Sequence, residues 1–218
     1  IKFTGLAAGI IGAGTVNGNP AYYDTIDGVR EFSLGEGTEF DGAIAQTTLD
    51  TIFTADNINN VLTASRTVKS LWIDSPGANR FIDLSTSGNY SLTLSSGLLY
   101  LSGNDDFEIK RTAGTGVLSW GTTYLYLNVA EPGTTLLLNA PTTTKDRYIR
   151  KSGAGTLFMN STHNMRVVIL DGTVKPGPDA TMASTTLYLS GKDATFDLNG
   201  QSISIGAVTF YDGIISNS

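Results

Sequence analysis

Ile109-Lys110-Arg111-Thr112-Ala113-Gly114-Thr115-Gly116-Val117-Leu118 and Ile149-Arg150-Lys151-Ser152-Gly153-Ala154-Gly155-Thr156-Leu157 carry one phrase twice. Each runs from an apolar residue through a basic pair to two glycines two positions apart, and then opens a new strand-like run. A shorter phrase, Leu-polar-Gly-polar, closes runs at Leu101-Ser102-Gly103-Asn104, Leu189-Ser190-Gly191-Lys192 and Leu198-Asn199-Gly200-Gln201. A turn-to-strand step recurs at Asp171-Gly172-Thr173-Val174 and Asp212-Gly213-Ile214-Ile215. Glycine after a strand is common, so one match says little. Ordered over about a hundred residues, the matches read as a degenerate repeat, which is the mark of a solenoid.

The runs between these phrases are strands. Tyr90-Ser91-Leu92-Thr93-Leu94 and Thr195-Phe196-Asp197-Leu198 alternate apolar and polar residues, the period of a half-buried strand. Gly, Asn, Asp and Ser separate the runs and supply left-handed backbone angles and local capping. Only Ala43 to Ile58 loosely follows helical spacing, and its threonines and missing cap argue against a helix. Strands this closely spaced suit a sandwich, a barrel or a solenoid, and the repeat selects the solenoid. A single coil cannot bury its inward side chains; stacked coils about 4.8 Å apart pair every strand and align one continuous core. The expected fold is all-β, a right-handed parallel β-helix over 61–218, with 1–60 as a β-rich segment forming first coils or a cap. At roughly 25 residues per coil, 61–218 supplies about six coils. Leu71, Ile73, Leu84, Leu92, Leu94, Leu118, Leu125, Leu136, Leu157, Val168, Leu187, Phe196 and Ile203 are expected to point inward.

Composition narrows the function classes. Charged residues are 16% of the 218, against an ordinary quarter, and the net charge is −6. No basic cluster exceeds the pairs Lys110-Arg111 and Arg150-Lys151, so no face suits nucleic acid. Gly5 to Ile11 is far short of the roughly 20 apolar residues of a spanning helix. It also lacks the basic flank of a signal peptide. The chain has no cysteine, which excludes disulfides and thiolate metal sites. With low charge and abundant Thr, Ser and Asn, this favours the outside of a cell.

Lys151-Ser152-Gly153-Ala154-Gly155-Thr156-Leu157 resembles the opening of the autotransporter-associated β-strand repeat, whose pattern is K-x-G-x-G-T-L-x-L. Lys151, Gly153, Gly155, Thr156 and Leu157 fit it, and Gly172, Thr173 and Val174 fit the later G-T-L return with Val for Leu. Asp197, Leu198, Asn199 and Gly200, followed by Ser204-Ile205-Gly206, are similar to the next D-L-N-G-x…I-G strand pair. Asn160 to Asn164 departs from the family's N-T-Y-T-G-x-T, lacking its Tyr and Gly. The close resemblance covers about residues 149–218. It implies a β-helix exported to the bacterial cell surface, with roles in adhesion, display or fibre building and no catalytic residues.

Other candidates for chemistry are sparse. His163 is the only histidine, and Asn-Ser-Thr-His-Asn-Met around it offers no zinc ligand set, so a solvated turn is expected. Asn104-Asp105-Asp106 could hold calcium but lacks the rest of a calcium loop. Gly9, Gly12 and Gly14 lack the Lys-Ser/Thr of a phosphate loop. A polysaccharide lyase or hydrolase would need convergent carboxylates, and Asp83, Glu108 and Asp197 lie in or beside strands. Tyr22, Tyr23, Tyr100, Tyr124, Tyr126 and Tyr188 are sugar-stacking platforms if exposed.

The expected function is structural: a segment or subunit of an extracellular fibre or surface layer, with no cofactor and no metal. The alternatives are an adhesin or glycan-binding passenger and a polysaccharide-active β-helix enzyme. Gly213-Ile214-Ile215-Ser216-Asn217-Ser218 and Ile1-Lys2-Phe3-Thr4 read as strands without charge or proline to blunt an open edge, or with a single lysine. End-to-end self-association, or continuation of a longer repeat polypeptide, follows as an expectation. Cell-surface glycans are a further possible partner.

Overall fold

The computed structural model describes residues 9–16, 19–24, 28–33, 36–42, 46–54, 56, 60–85, 88–142 and 147–218. Strands β1 (Gly9–Val16), β2 (Asn19–Asp24) and β3 (Gly28–Glu31) form a small antiparallel sheet. From β4 (Thr38–Glu39) and β5 (Gln46–Phe53) onward all pairing is parallel. Next come β6 (Arg66–Asp74) and β7 (Arg80–Asp83), then β8 (Leu92–Leu94), β9 (Leu98–Ser102) and β10 (Phe107–Lys110). They are followed by β11 (Leu118–Trp120), β12 (Tyr124–Val129) and β13 (Thr135–Asn139), and by β14 (Tyr148–Ser152) and β15 (Thr156–Met159). The last are β16 (Arg166–Ile169), β17 (Gly172–Pro176), β18 (Met182–Leu189), β19 (Ala194–Asp197), β20 (Ile205–Phe210) and β21 (Ile214–Ser216).

These strands wind into a parallel β-helix. A seven-stranded sheet takes one strand from each of seven coils, in the order β21-β19-β17-β15-β13-β10-β7. An eleven-stranded sheet forms the opposing side. Within it β8 and β9 are one path bent at Ser95–Gly97, because β6 pairs with both. Coil length is not constant. Leu71, Leu99 and Leu127 stack at steps of 28 residues, and Lys151, Ile169 and Leu189 follow at steps of 24, 18 and 20. Seven coils therefore stand where a uniform 25-residue period predicts six. The third side is a full strand in the long coils and shrinks to isolated bridges, Leu118 with Thr142 and Thr162 with Thr181, in the short ones.

Register makes the core. Leu125, Ile149, Val167 and Leu187 stack on the large sheet, and Leu136, Leu157, Val174 and Phe196 on the small one, all fully or almost fully buried. Eleven of the thirteen residues expected inward are buried; Ile203 is half-buried against the core. Val168 is a correction: it faces outward, because Val167 and Ile169 on either side take the inward slots. With a period of two, an adjacent pair of valines leaves the phase open. Ser202–Ser204 is not strand; β20 begins at Ile205. The candidate helix at 43–58 contains β5 instead, with 43–45, 55 and 57–59 outside the described residues.

The early part of the chain does two jobs. Strands β4 and β5 extend the parallel ladder, so it begins before residue 61. Phe32, just after β3, packs outside the large sheet with Ile52, Trp72 and Tyr100. Its ring lies 5.2 Å from Tyr22 and 5.8 Å from Trp72, and the Trp72 indole N–H donates to Ser102 Oγ at 2.7 Å.

Candidate functional site

Lys151 sits at an inward position of β14, stacked between Leu127 and Ile169 in an otherwise apolar column. Its stem fills that column, and its Nζ donates to three backbone carbonyls, Ser152 at 2.9 Å, Gly153 at 2.6 Å and Asp171 at 3.0 Å. Three N–H donors meet three acceptors, the match an ammonium offers. Complete burial lowers the Lys151 pKa to about 7, with the Asp171 charge pulling the other way.

Around this ammonium the chain turns twice from the large sheet to the small one. Gly153 (φ 77°) and Gly172 (φ 67°) hold left-handed angles that other residues adopt only at a cost. A Cβ on Gly172 would overlap the Gly153 and Gly155 carbonyl oxygens and approach Lys151 Nζ. The Gly172 N–H is held by Asp171 Oδ1 at 2.7 Å. After the corners, Thr156 pairs with Thr173 and Leu157 with Val174, so the two G-T-Leu/Val phrases are directly superposed rungs. Thr195 and Phe196 continue the column, then Ile214 and Ile215. Asp171-Gly172 and Asp212-Gly213 thus occupy one corner two coils apart, and Gly213 N–H repeats the bond, to Asp212 Oδ1 at 2.8 Å. The longer phrase behaves differently. Ile109 lies on the small sheet and Ile149 on the large one, so that similarity joins two different corners.

Asp197 and its neighbours close the next corner. The buried carboxylate pairs with Lys175 Nζ at 2.8 Å and accepts bonds from Asn199 N–H at 3.0 Å and Ser218 N–H at 2.9 Å. Burial pushes its pKa up, but these donors outweigh it and hold the carboxyl well below the usual range. Asn199 (φ 53°) and Gly200 (φ 68°) make the turn, and Leu198 packs on the core. Asp83 does the same at an earlier coil, accepting from Ser85 N–H at 3.0 Å and Thr112 N–H at 3.2 Å. Asp83 and Asp197 lie five ladder steps apart, roughly 24 Å at normal strand spacing. Glu108 points outward and receives Asn139 Nδ2 at 2.5 Å. The structure does not bring these three carboxylates together.

His163 corrects the sequence reading. It is fully buried rather than in a solvated turn, with Nδ1 3.1 Å from Thr142 Oγ1 and its carbonyl accepting from Thr185 Oγ1 at 2.5 Å. Burial lowers its pKa to about 3, so the ring is neutral at physiological pH. Its Nε2 meets no partner among the described residues. Thr142, His163 and Thr185 come from three coils, and no local spacing signals their meeting. Asp105 and Asp106 link coils: Asp105 Oδ2 accepts Gly77 N–H at 3.2 Å and Asp106 Oδ1 accepts Thr135 N–H at 2.6 Å. Among the described residues no group of three His, Asp or Glu side chains is placed to hold a metal ion. Gly9, Gly12 and Gly14 lie on β1, a strand rather than a phosphate-binding turn. Tyr100 is buried and Tyr22 is stacked on Phe32, while the Tyr23 side chain lies outside the described residues.

The last coil breaks the pattern. Val208 continues the buried column of Leu187, Phe210 that of Leu189, and Ile215 that of Phe196. Yet Val208, Phe210, Tyr211, Ile214 and Ile215 are 47%, 55%, 72%, 56% and 49% exposed, the large exposed hydrophobics of the described residues. The chain matches no protein-family model, no curated protein and no solved structure.

Proposed function

We propose that this chain is a structural element of bacterial extracellular architecture, a segment or subunit of a fibre or surface layer. The observation that carries the reading is the last coil. Its strands β20 and β21 hold core columns in register and leave their apolar side chains uncovered. Such a surface is completed by one more parallel rung, which pairs the open backbone edge and covers the side chains at once. A second copy of the chain stacked end to end, or a further coil of a longer repeat polypeptide, supplies that rung. Corners held by Lys151, Asp83 and Asp197 serve the same reading, since each of these buried charged groups is used within the fold.

The test is the mass of the purified 218-residue chain across a concentration series. Concentration-dependent oligomers are expected, and Phe210→Lys with Ile215→Lys should return them to monomer with an unchanged circular-dichroism spectrum. A well-folded parent that stays monomeric at the highest concentration overturns end-to-end stacking of copies.

A further inference from the structure

Away from the last coil, the outward face of the large sheet carries Tyr124, Tyr126, Tyr148, Arg150, Arg166 and Tyr188, all half-buried. Register places them in two columns. Tyr124, Tyr148 and Arg166 follow one another on β12, β14 and β16, beside Tyr126 and Arg150. Tyr188 on β18 lies two rungs beyond Arg150. The rings are close, 5.0 Å between Tyr124 and Tyr148 and 5.8 Å between Tyr124 and Tyr126. The Arg150 guanidinium lies 5.5 and 5.8 Å from the Tyr124 and Tyr126 ring centres, and that of Arg166 5.0 Å from Tyr148.

Cation–π contact accounts for where the guanidinium groups lie but uses their faces, not their edges. Among the described residues Arg150 has no hydrogen-bond acceptor and no ion pair, and Arg166 gives one bond, to Tyr148 Oη at 3.1 Å. No Asp or Glu occupies any position of β12, β14, β16 or β18, although the chain carries a net charge of −6. Among the described residues, two planar, forked donors without a carboxylate partner thus stand among tyrosine rings on strands that carry no acidic side chain. A fork of this kind matches a carboxylate, and a phenol ring matches the C–H face of a pyranose in breadth and polarity.

We propose that this strip binds an acidic polysaccharide, with uronate carboxylates on Arg150 and Arg166 and sugar rings against Tyr124, Tyr126 and Tyr148. The chain's overall negative charge does not prevent this, because charges beyond about 8–10 Å are largely screened at physiological salt. The strip lies on the outward face of the sheet and does not depend on stacking at the last coil.

The test uses the whole 218-residue chain and titration calorimetry with polygalacturonate, its fully methyl-esterified form and dextran sulfate. Saturable binding to polygalacturonate is expected, weakened at least tenfold by esterification. Each charge-assisted bond contributes about tenfold, so Arg150→Gln and Arg166→Gln should each weaken binding by about that factor. Lys192→Gln removes the same charge at an exposed site elsewhere and should leave affinity within about twofold of the parent. Arg150→Lys keeps the charge without the fork and should fall between parent and Arg150→Gln, which keeps the test valid if the glutamine variants fold poorly. Equal affinity for the ester, preference for dextran sulfate, no saturable binding, or arginine variants that bind like the parent would each overturn the proposal.

Discussion

Replacing Lys151 by Met should remove a pH dependence that the parent chain carries. The Lys151 ammonium is fully buried and its pKa is lowered from 10.5 to about 7 by that burial. In the unfolded chain the same group keeps its proton up to about pH 10.4. Between about pH 7 and 10.5 the unfolded state therefore binds more protons than the folded state, and stability rises with pH through that window. Below pH 7 both states are protonated and the cost of burying the charge is complete. The difference in pKa corresponds to roughly 5 kcal/mol at most across the window. Met fills the same column between Leu127 and Ile169 with an apolar stem of similar length and leaves the Ser152, Gly153 and Asp171 carbonyls without this donor. Denaturant melts of both chains at pH 6, 7.5, 9 and 10 supply the comparison. The parent should gain stability relative to Lys151→Met over this series. Parallel curves would mean that Lys151 titrates as an ordinary exposed lysine, and the corner account would fall.

Three further outcomes follow from the same packing. Gly172→Ala forces a Cβ into the Gly153 carbonyl at a left-handed angle and should cost more than about 1 kcal/mol in a denaturant melt, whereas the same change at Gly200, left-handed but with open space around it, should cost less. Leu157→Ala should cost ~2–5 kcal/mol and Val168→Ala well under half of that, since one is in the core and the other outside it; equal losses would put the strand phase in error. His163 is held neutral with its pKa lowered to about 3, so the parent should lose stability as pH falls from about 6.5 towards 3, and His163→Gln should lose less over that range in acid titrations followed by circular dichroism.

The strand content and the parallel stacking were legible because both rest on patterns that a single coil must repeat. Alternation marks which side chains face in, and it places eleven of thirteen core residues correctly. It fails at Val168, where Val167-Val168-Ile169 offers three apolar residues in a row and only the neighbouring rungs decide the phase. The corner residues were legible as a phrase but not as chemistry. Lys151 stands beside Arg150 in sequence, and period two sends one to solvent and the other into the core. No local rule puts a lysine in a leucine column; the three carbonyls that receive it belong partly to the following coil. The burial of His163 is hidden from the sequence for a related reason: its polar neighbours suggest solvent, while its hydrogen-bond partners Thr142 and Thr185 come from adjoining coils.

Coil length explains why the repeat is readable at 149–218 and blurred before it. In the long coils the large and small sheets are joined by Gly103–Asp106 after β9 and Ala130–Thr134 after β12. Connections of that length also use a left-handed glycine, Gly103 and Gly133, but at different positions and without a preceding Asp, so no common phrase results. In the short coils the same side is crossed by Gly153–Gly155, by Leu170-Asp171, by the four residues Ser190–Asp193 and by Tyr211–Gly213, so three of the four corners are two or three residues long. Two or three residues can reverse direction only with left-handed angles and a side chain that caps the turn, which is why Gly153, Gly172 and Gly213 recur and why Asp171 and Asp212 precede two of them. Shortening also draws the third side in to single bridges, bringing Thr142 and His163 within hydrogen-bonding distance inside the coil. The repeat phrase is therefore the signature of a tight corner, and it fades wherever the chain has residues to spare for a looser one.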